Sequence, residues 1–206
     1  MTDTFIPPWS DPTHDVRADL LAAVSDAPEV RIGDWMQTYT GRAFYPLDPR
    51  QAEIDPVDIA HGLSMTCRYN GHVSRFYSVA EHCVKMSEAV SPENALWALL
   101  HDATESYVGD VIRPLKKYLP NYVDIEDHLM RVICARFGLT VFEMPAEVKA
   151  ADNRILLTER AALLGPTPLP WHSSLEDLDP LPVKIDAWDP VMAEAVYLMR
   201  LKELTS

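Results

Sequence analysis

The sequence predicts an all-α fold, and three observations carry that expectation. Apolar residues recur at three- and four-residue spacing in several stretches, helix-start signals precede most of them, and alternating strand patterns are weak throughout. Residues 1–50 open with Pro7-Pro8-Trp9 and a short helical stretch near Val16 to Val24. An aromatic, turn-rich stretch from Asp34 to Pro49 follows and is expected to wrap the core in extended form. Asp55-Pro56 places an N-cap before a proline at the first helical position, starting a short helix through Ile59 and Leu63. Cys67 to His72 reads as an irregular turn. Ser78-Val-Ala-Glu81 is a capping box, so a helix is expected from Val79 to about Val90 with His82 in its first turn. Ser91-Pro92 starts the next helix, which carries six consecutive apolar or small residues, Ala95 to Leu100, and is expected to run to Glu105. Gly109 breaks it, and Arg113 to Lys117 forms a basic connection. Tyr122, Ile125, Leu129, Val132, Ile133 and Phe137 keep helical spacing up to Gly138, a C-terminal stop. A helix from Pro145 to Leu164 puts Val148, Asp152 and Ile155 on one face. The last helix runs from Asp189-Pro190 to about Leu204, amphipathic through Val191, Ala195 and Leu198.

With 206 residues, 48% hydrophobic and 24% charged, the chain reads as one domain spanning residues 1–206. Its core is expected at about residues 55–165. Residues 1–54 form a wrapping N-terminal extension, and 166–206 a proline-rich loop and C-terminal helix. A net charge of −13 argues against general nucleic-acid binding, which needs a basic surface to displace counterions; a small phosphorylated ligand needs only a local basic patch. Cys67, Cys83 and Cys134 form neither a disulfide framework nor a thiolate site, which fits a reducing cytoplasm. With no signal-peptide pattern and no apolar run approaching ~20 residues, no membrane partner is expected, and the protein is expected in the cytoplasm.

The chemistry concentrates where the apolar run Ala95–Leu100 leads straight into His101, Asp102 and Glu105. Burying such groups costs several kcal/mol unless something pairs with them, and a metal ion is the natural partner. Two antiparallel helices joined by the Ser91-Pro92 turn would bring His82, early in one, beside His101, late in the other. Asp152 lies on the apolar face of a later helix.

Ala80-Glu-His82, then Ala98-Leu-Leu-His-Asp-Ala-Thr-Glu105, then Gly109-Asp110 with Arg113-Pro-Leu-Lys116, then Ala151-Asp152 resemble, in order and spacing, the HD-domain metal-dependent phosphohydrolases. The likeness is greatest to short bacterial and phage members related to 5'-deoxynucleotidases and deoxynucleoside triphosphate hydrolases, over roughly residues 65–165. The resemblance implies an HD-domain helical bundle with N- and C-terminal extensions. It implies that His82, His101, Asp102 and Asp152 bind one divalent metal ion, for which Mn, Co, Fe, Ni or Zn suits a mixed imidazole and carboxylate set. A further Mg or Mn ion would arrive with a triphosphate substrate. Dinuclear relatives carry additional histidines after the HD pair, where this chain has His128 and His172.

The resemblance also assigns roles around the metal. Glu105 and Asp110 would be catalytic, orienting or deprotonating the attacking water and assisting the leaving group. Arg68 and Tyr69 match an arginine–aromatic pair that holds phosphate and packs on sugar or base, although relatives often have tryptophan at the position of Tyr69. Lys116 would contact phosphate and Pro114 line the base pocket. The implied activity is hydrolysis of a deoxynucleoside mono- or triphosphate, a small-molecule nucleotide substrate. The rival expectation is a non-catalytic module that binds a nucleotide or a partner protein; it would show a broken ligand, and none is broken. For the extensions three roles stand open: a lid, the surface of a homo-oligomer, or more core. Singly, each residue has an ordinary reading. His82 or His101 would be a hydrogen-bonded structural histidine, Glu105 a solvated helix end, Asp110 a turn residue, and Arg68 or Lys116 a surface charge. His61, His72 and His128 read as structural, and Trp35, Tyr39, Phe44 and Tyr45 as packing.

Overall fold

The computed structural model describes residues 30–171, 175 and 177–206. Pro7-Pro8-Trp9, the helical stretch near Val16 to Val24, and His172 lie outside the described residues. The chain divides into two units, residues 1–32 and 33–206, and the elements named here belong to the second. It is predominantly helical, as the sequence predicts.

Eight α-helices can be named among the described residues: α1 (Pro56–Met65), α2 (Val79–Ala89), α3 (Pro92–Leu100), α4 (Glu105–Val108), α5 (Arg113–Lys116), α6 (Pro120–Arg136), α7 (Ala146–Leu163) and α8 (Pro190–Leu204). Asp55 caps α1 by accepting from the Val57 N–H at 2.9 Å, with Pro56 supplying a preset first residue. Instead of a plain extended wrap, residues 34–49 include a small antiparallel hairpin. Its strands β1 (Met36–Gln37) and β2 (Ala43–Phe44) pair Met36 with Phe44. Phe44 is buried and stacks on Tyr107, and Tyr39, though largely exposed, stacks on His61 at 3.6 Å, whereas Trp35, expected to pack, is largely exposed.

The core is formed where α1, α2, α3 and α8 pack together and α7 closes against α2 and α3. Leu63, Val79, Ala80, Val84, Leu99, Leu100, Ile155 and Tyr197 are all fully buried there. Gly62 permits the close approach of α1 to α4. A Cβ built on it would lie 2.8 Å from Ser106 Cβ and 3.0 Å from the Ser106 backbone. Gly62→Ala should therefore force α4 outward and destabilise the fold by about 1–3 kcal/mol, visible as a lowered urea midpoint at unchanged m-value.

Three local expectations are corrected and one is refined. The third helix does not run unbroken to Glu105. It stops at Leu100, and the chain continues in tighter turns with Ala103 N–H donating to Leu100 O and Glu105 N–H to Asp102 O. The basic connection expected from Arg113 to Lys117 includes a helical turn, Arg113–Lys116. The inner face of α8 is Ala193, Tyr197 and Leu201, while Val191 is 79% exposed and Ala195 is exposed. The capping box at α2 is half made. Ser78 Oγ accepts from the Glu81 N–H at 3.1 Å, but the Glu81 carboxylate turns away to accept the N–H groups of Asp186, Ala187 and Trp188 at 2.8, 3.0 and 2.6 Å. Those three bonds pin the segment leading into α8 onto α2. Lys85 of α2 adds an ion pair to Asp186 at 2.7 Å and sits over the Trp188 ring.

Candidate metal centre

Helix α2 begins at a chain crossing. Cys67 pairs with Ser78 in an isolated antiparallel bridge, and the Arg68 N–H donates to Tyr77 O while the Val79 N–H donates to Thr66 O. Arg68 is thus tied beside the helix start that carries His82. Beyond it Tyr69 and Asn70 hold positive φ angles of 55 and 53°, a left-handed backbone costing roughly 1–2 kcal/mol per non-glycine residue. The Tyr69 hydroxyl offsets part of that by donating to Glu159 Oε2 at 2.6 Å.

Residue 82 sits in the first turn of α2, fully buried, and its Nδ1 lies 2.6 Å from Glu159 Oε1. His101 is carried at the tightened end of α3, where its Nδ1 donates to the Ala98 carbonyl at 2.7 Å. With both Nδ1 atoms engaged as donors, both Nε2 atoms are turned toward one another, 3.2 Å apart. Asp102 Oδ2 approaches them at 3.2 Å from His101 and 3.7 Å from His82. Asp152 Oδ1, from the inward face of α7, lies 3.9 Å from His82 Nε2.

Two bare imidazole nitrogens facing each other repel unless a proton or a cation lies between them. Burial opposes charge on His101, but Asp102 and Cys83 push its pKa well above the ordinary histidine range. Burial and the nearby Arg68 push His82 the opposite way. A divalent ion satisfies the same electron pairs without a proton, and the donor chemistry fits one. His82, His101 and Asp102 offer ligand atoms within 4.8 Å of one another and can hold a metal ion.

Glu159 is the residue that sequence reasoning missed. Fully buried, it accepts from His82 and Tyr69 and pairs with Arg68 Nε at 3.2 Å. Burial alone would raise its carboxyl, but Arg68, His82 and the hydrogen bonds from His82 and Tyr69 bring it down to about 2. It fixes the His82 tautomer, the supporting role usual behind a metal-ligating histidine. A signal was present: Glu159 lies two turns after Asp152 on the stripe Val148, Asp152, Ile155.

The other predicted residues divide. Arg68 is buried, with Nη1 3.4 Å from Asp102 Oδ2, so it faces the cluster. Glu105 is buried, and its Oε2 has no hydrogen-bond partner among the described residues. Burial, with the Asp102 and Asp110 carboxylates, pushes it well above the usual range. Half-buried Asp110 is raised as well, chiefly by burial. Lys116 pairs with Glu126 at 2.7 Å, and its charge also acts on Asp110. Pro114 is exposed on α5. Asp152 carries an ion pair with Arg113, which the sequence reading treated as part of a connection.

No family model matches the chain. It is 43% identical over 129 residues to the "Uncharacterized protein YfdR" of Escherichia coli strain K12, covering 63% of this chain and 72% of that one. It is 39% identical over 127 residues to the "Uncharacterized protein RCAP_rcc00048" of Rhodobacter capsulatus, covering 57% of this chain and 64% of that one.

Proposed function

We propose, given that the chain belongs to the family of the Escherichia coli protein YfdR, that it is a metal-dependent phosphohydrolase of the HD type acting on nucleotides. One observation carries the reading: two histidines, each anchored through Nδ1, aim their Nε2 atoms at a point shared with the Asp102 carboxylate, and Asp152 Oδ1 lies 3.9 Å from His82 Nε2 beside it. His82, His101, Asp102 and Asp152 would hold the ion, with Mn, Co, Fe, Ni and Zn all compatible with such a set. When bound, such an ion supplies Lewis-acid polarisation of a phosphoryl oxygen and a lowered pKa for water.

The remaining chemistry belongs to the chain. Arg68 offers its guanidinium to a phosphate oxygen while Glu159 and Asp102 hold it in place. Water adds to phosphorus, the bond from phosphorus to the leaving oxygen breaks, and a proton must reach that oxygen. Glu105, whose pKa is raised by burial beside two carboxylates, is the donor; Asp110, less buried, takes the proton of the water. Glu105→Ala should then retain the metal while the rate falls by about 10²–10⁴-fold. Metal analysis beside initial rates checks this, and loss of the metal would show Glu105 to be a ligand instead.

The reading is tested by incubating the full chain, loaded with Mn or Co, with a panel of deoxynucleoside mono- and triphosphates, and resolving phosphate from triphosphate release. Metal bound at the cluster with no nucleotide turned over would overturn it.

A further inference from the structure

In a chain of net charge −13, one spot beside the cluster carries surplus positive charge. Arg113 of α5 and Lys149 of the first turn of α7 converge on a single carboxylate oxygen, Asp152 Oδ2, with Arg113 Nη2 at 2.5 Å and Lys149 Nζ at 3.6 Å. Arg113 Nη1 donates to Asn153 Oδ1 at 3.2 Å, which fixes the plane of the guanidinium. The Asp152 side chain is 7% exposed, against 49% for Arg113 and 55% for Lys149. The carboxylate lies on the buried side and both cations on the solvent side.

One negative charge therefore meets two positive ones, and N–H donors remain on both cations beyond the bonds they make to Asp152 and Asn153. Asp152 turns its other oxygen, Oδ1, toward His82, so the one charge that the two cations share is also drawn toward the cluster. Neighbouring cations are committed elsewhere. Lys116 pairs with Glu126, Lys117 lies over the Tyr118 ring, and Arg154 donates to the carbonyls of Asp179 and Pro180.

We infer that Arg113 and Lys149 form an anion subsite that takes the outer phosphate groups of a polyphosphate whose reacting phosphoryl group lies at the His82–His101–Asp102 cluster. The inference rests on the function proposed above and narrows its substrate class to nucleoside di- and triphosphates. Position selects the class: the two cations contact Asp152 Oδ2, while Oδ1 is the oxygen that faces His82, so they sit beside the cluster rather than in it. A monophosphate held at the cluster has no second anionic group to reach it. The planar guanidinium fork matches two oxygens of one phosphate, and the lysine adds a point charge.

The test uses the full chain in buffer with saturating manganese, titrated calorimetrically with inorganic tripolyphosphate and, separately, with orthophosphate. The wild type should bind tripolyphosphate at least about tenfold more tightly. Arg113→Ala and Lys149→Ala should each remove most of that preference, Arg113→Lys should restore part of it, and orthophosphate binding should change less than about twofold. Equal losses for the two anions, no loss for either, or no wild-type preference would overturn the inference. Nucleotide turnover by the wild type is measured alongside. Turnover without an Arg113 effect removes the subsite and leaves the proposed reaction standing; Arg113-dependent tripolyphosphate binding without turnover does the reverse.

Discussion

Asp102→Asn should strip the bound divalent ion from the protein and abolish turnover. Burial opposes ionisation of this carboxyl, yet His101, His82 and Arg68 hold it well below the usual carboxylate range. Asparagine keeps the shape and removes that charge from the centre of four would-be ligands. The amide oxygen is a weak ligand, and its NH₂ group can instead donate to the bare His82 Nε2. Loss of Lewis-acid stabilisation is worth several kcal/mol, on the order of a thousandfold or more in rate. Metal content after gel filtration, measured beside kcat, checks both halves. A variant that kept its metal and its activity would sink the site assignment.

Glu159→Gln should give the largest loss of stability that leaves all four proposed ligands intact. It would leave the Arg68 guanidinium buried with Asp102, at 3.4 Å, as its remaining ion pair among the described residues. Breaking a buried pair in this way costs about 3–5 kcal/mol. His82 would also be free to change tautomer, which should weaken metal binding about 10–100-fold. The sign of the pH effect follows from a carboxyl held at about 2 against an ordinary 4.5. A depressed pKa stabilises the fold fully above the ordinary value, and that contribution is lost as pH falls toward 2. Urea titrations between pH 7 and pH 3 should show the wild type losing stability over that range and Glu159→Gln losing less of it. Parallel curves for the two proteins would show that Glu159 is not the group responsible.

The proposed ligand residues were legible because their order and helical spacing survive in one dimension. Ser78 and Asp55 announce helix starts, and Gly109 and Gly138, with φ of 84 and 74°, announce stops. Less was legible where tertiary packing decides. Nothing in His101 to Thr104 marks the end of α3, since no glycine or proline interrupts it; the break comes with the turn that lets His101 donate to Ala98. Val191 reads as core because it is apolar, but α8 turns Ala193 and Tyr197 inward, and Tyr197 donates to the Leu99 carbonyl at 3.0 Å. Glu159 and Arg113 look like solvated charges until their partners, 77 and 39 residues away, are brought to them.

The grip of Glu81 on residues 186–188 has a bearing on how this protein is born. Asp186 lies 105 positions beyond Glu81, so the brace on the α2 turn that carries His82 is a long-range contact, although the turn itself is closed locally by Ser78. On a ribosome the histidine emerges long before the backbone that will brace its neighbour. Closing so long a loop costs entropy that contacts made along the way must first offset. The brace that Glu81 provides is thus completed only once residues 186–188 have been made and have folded back onto α2.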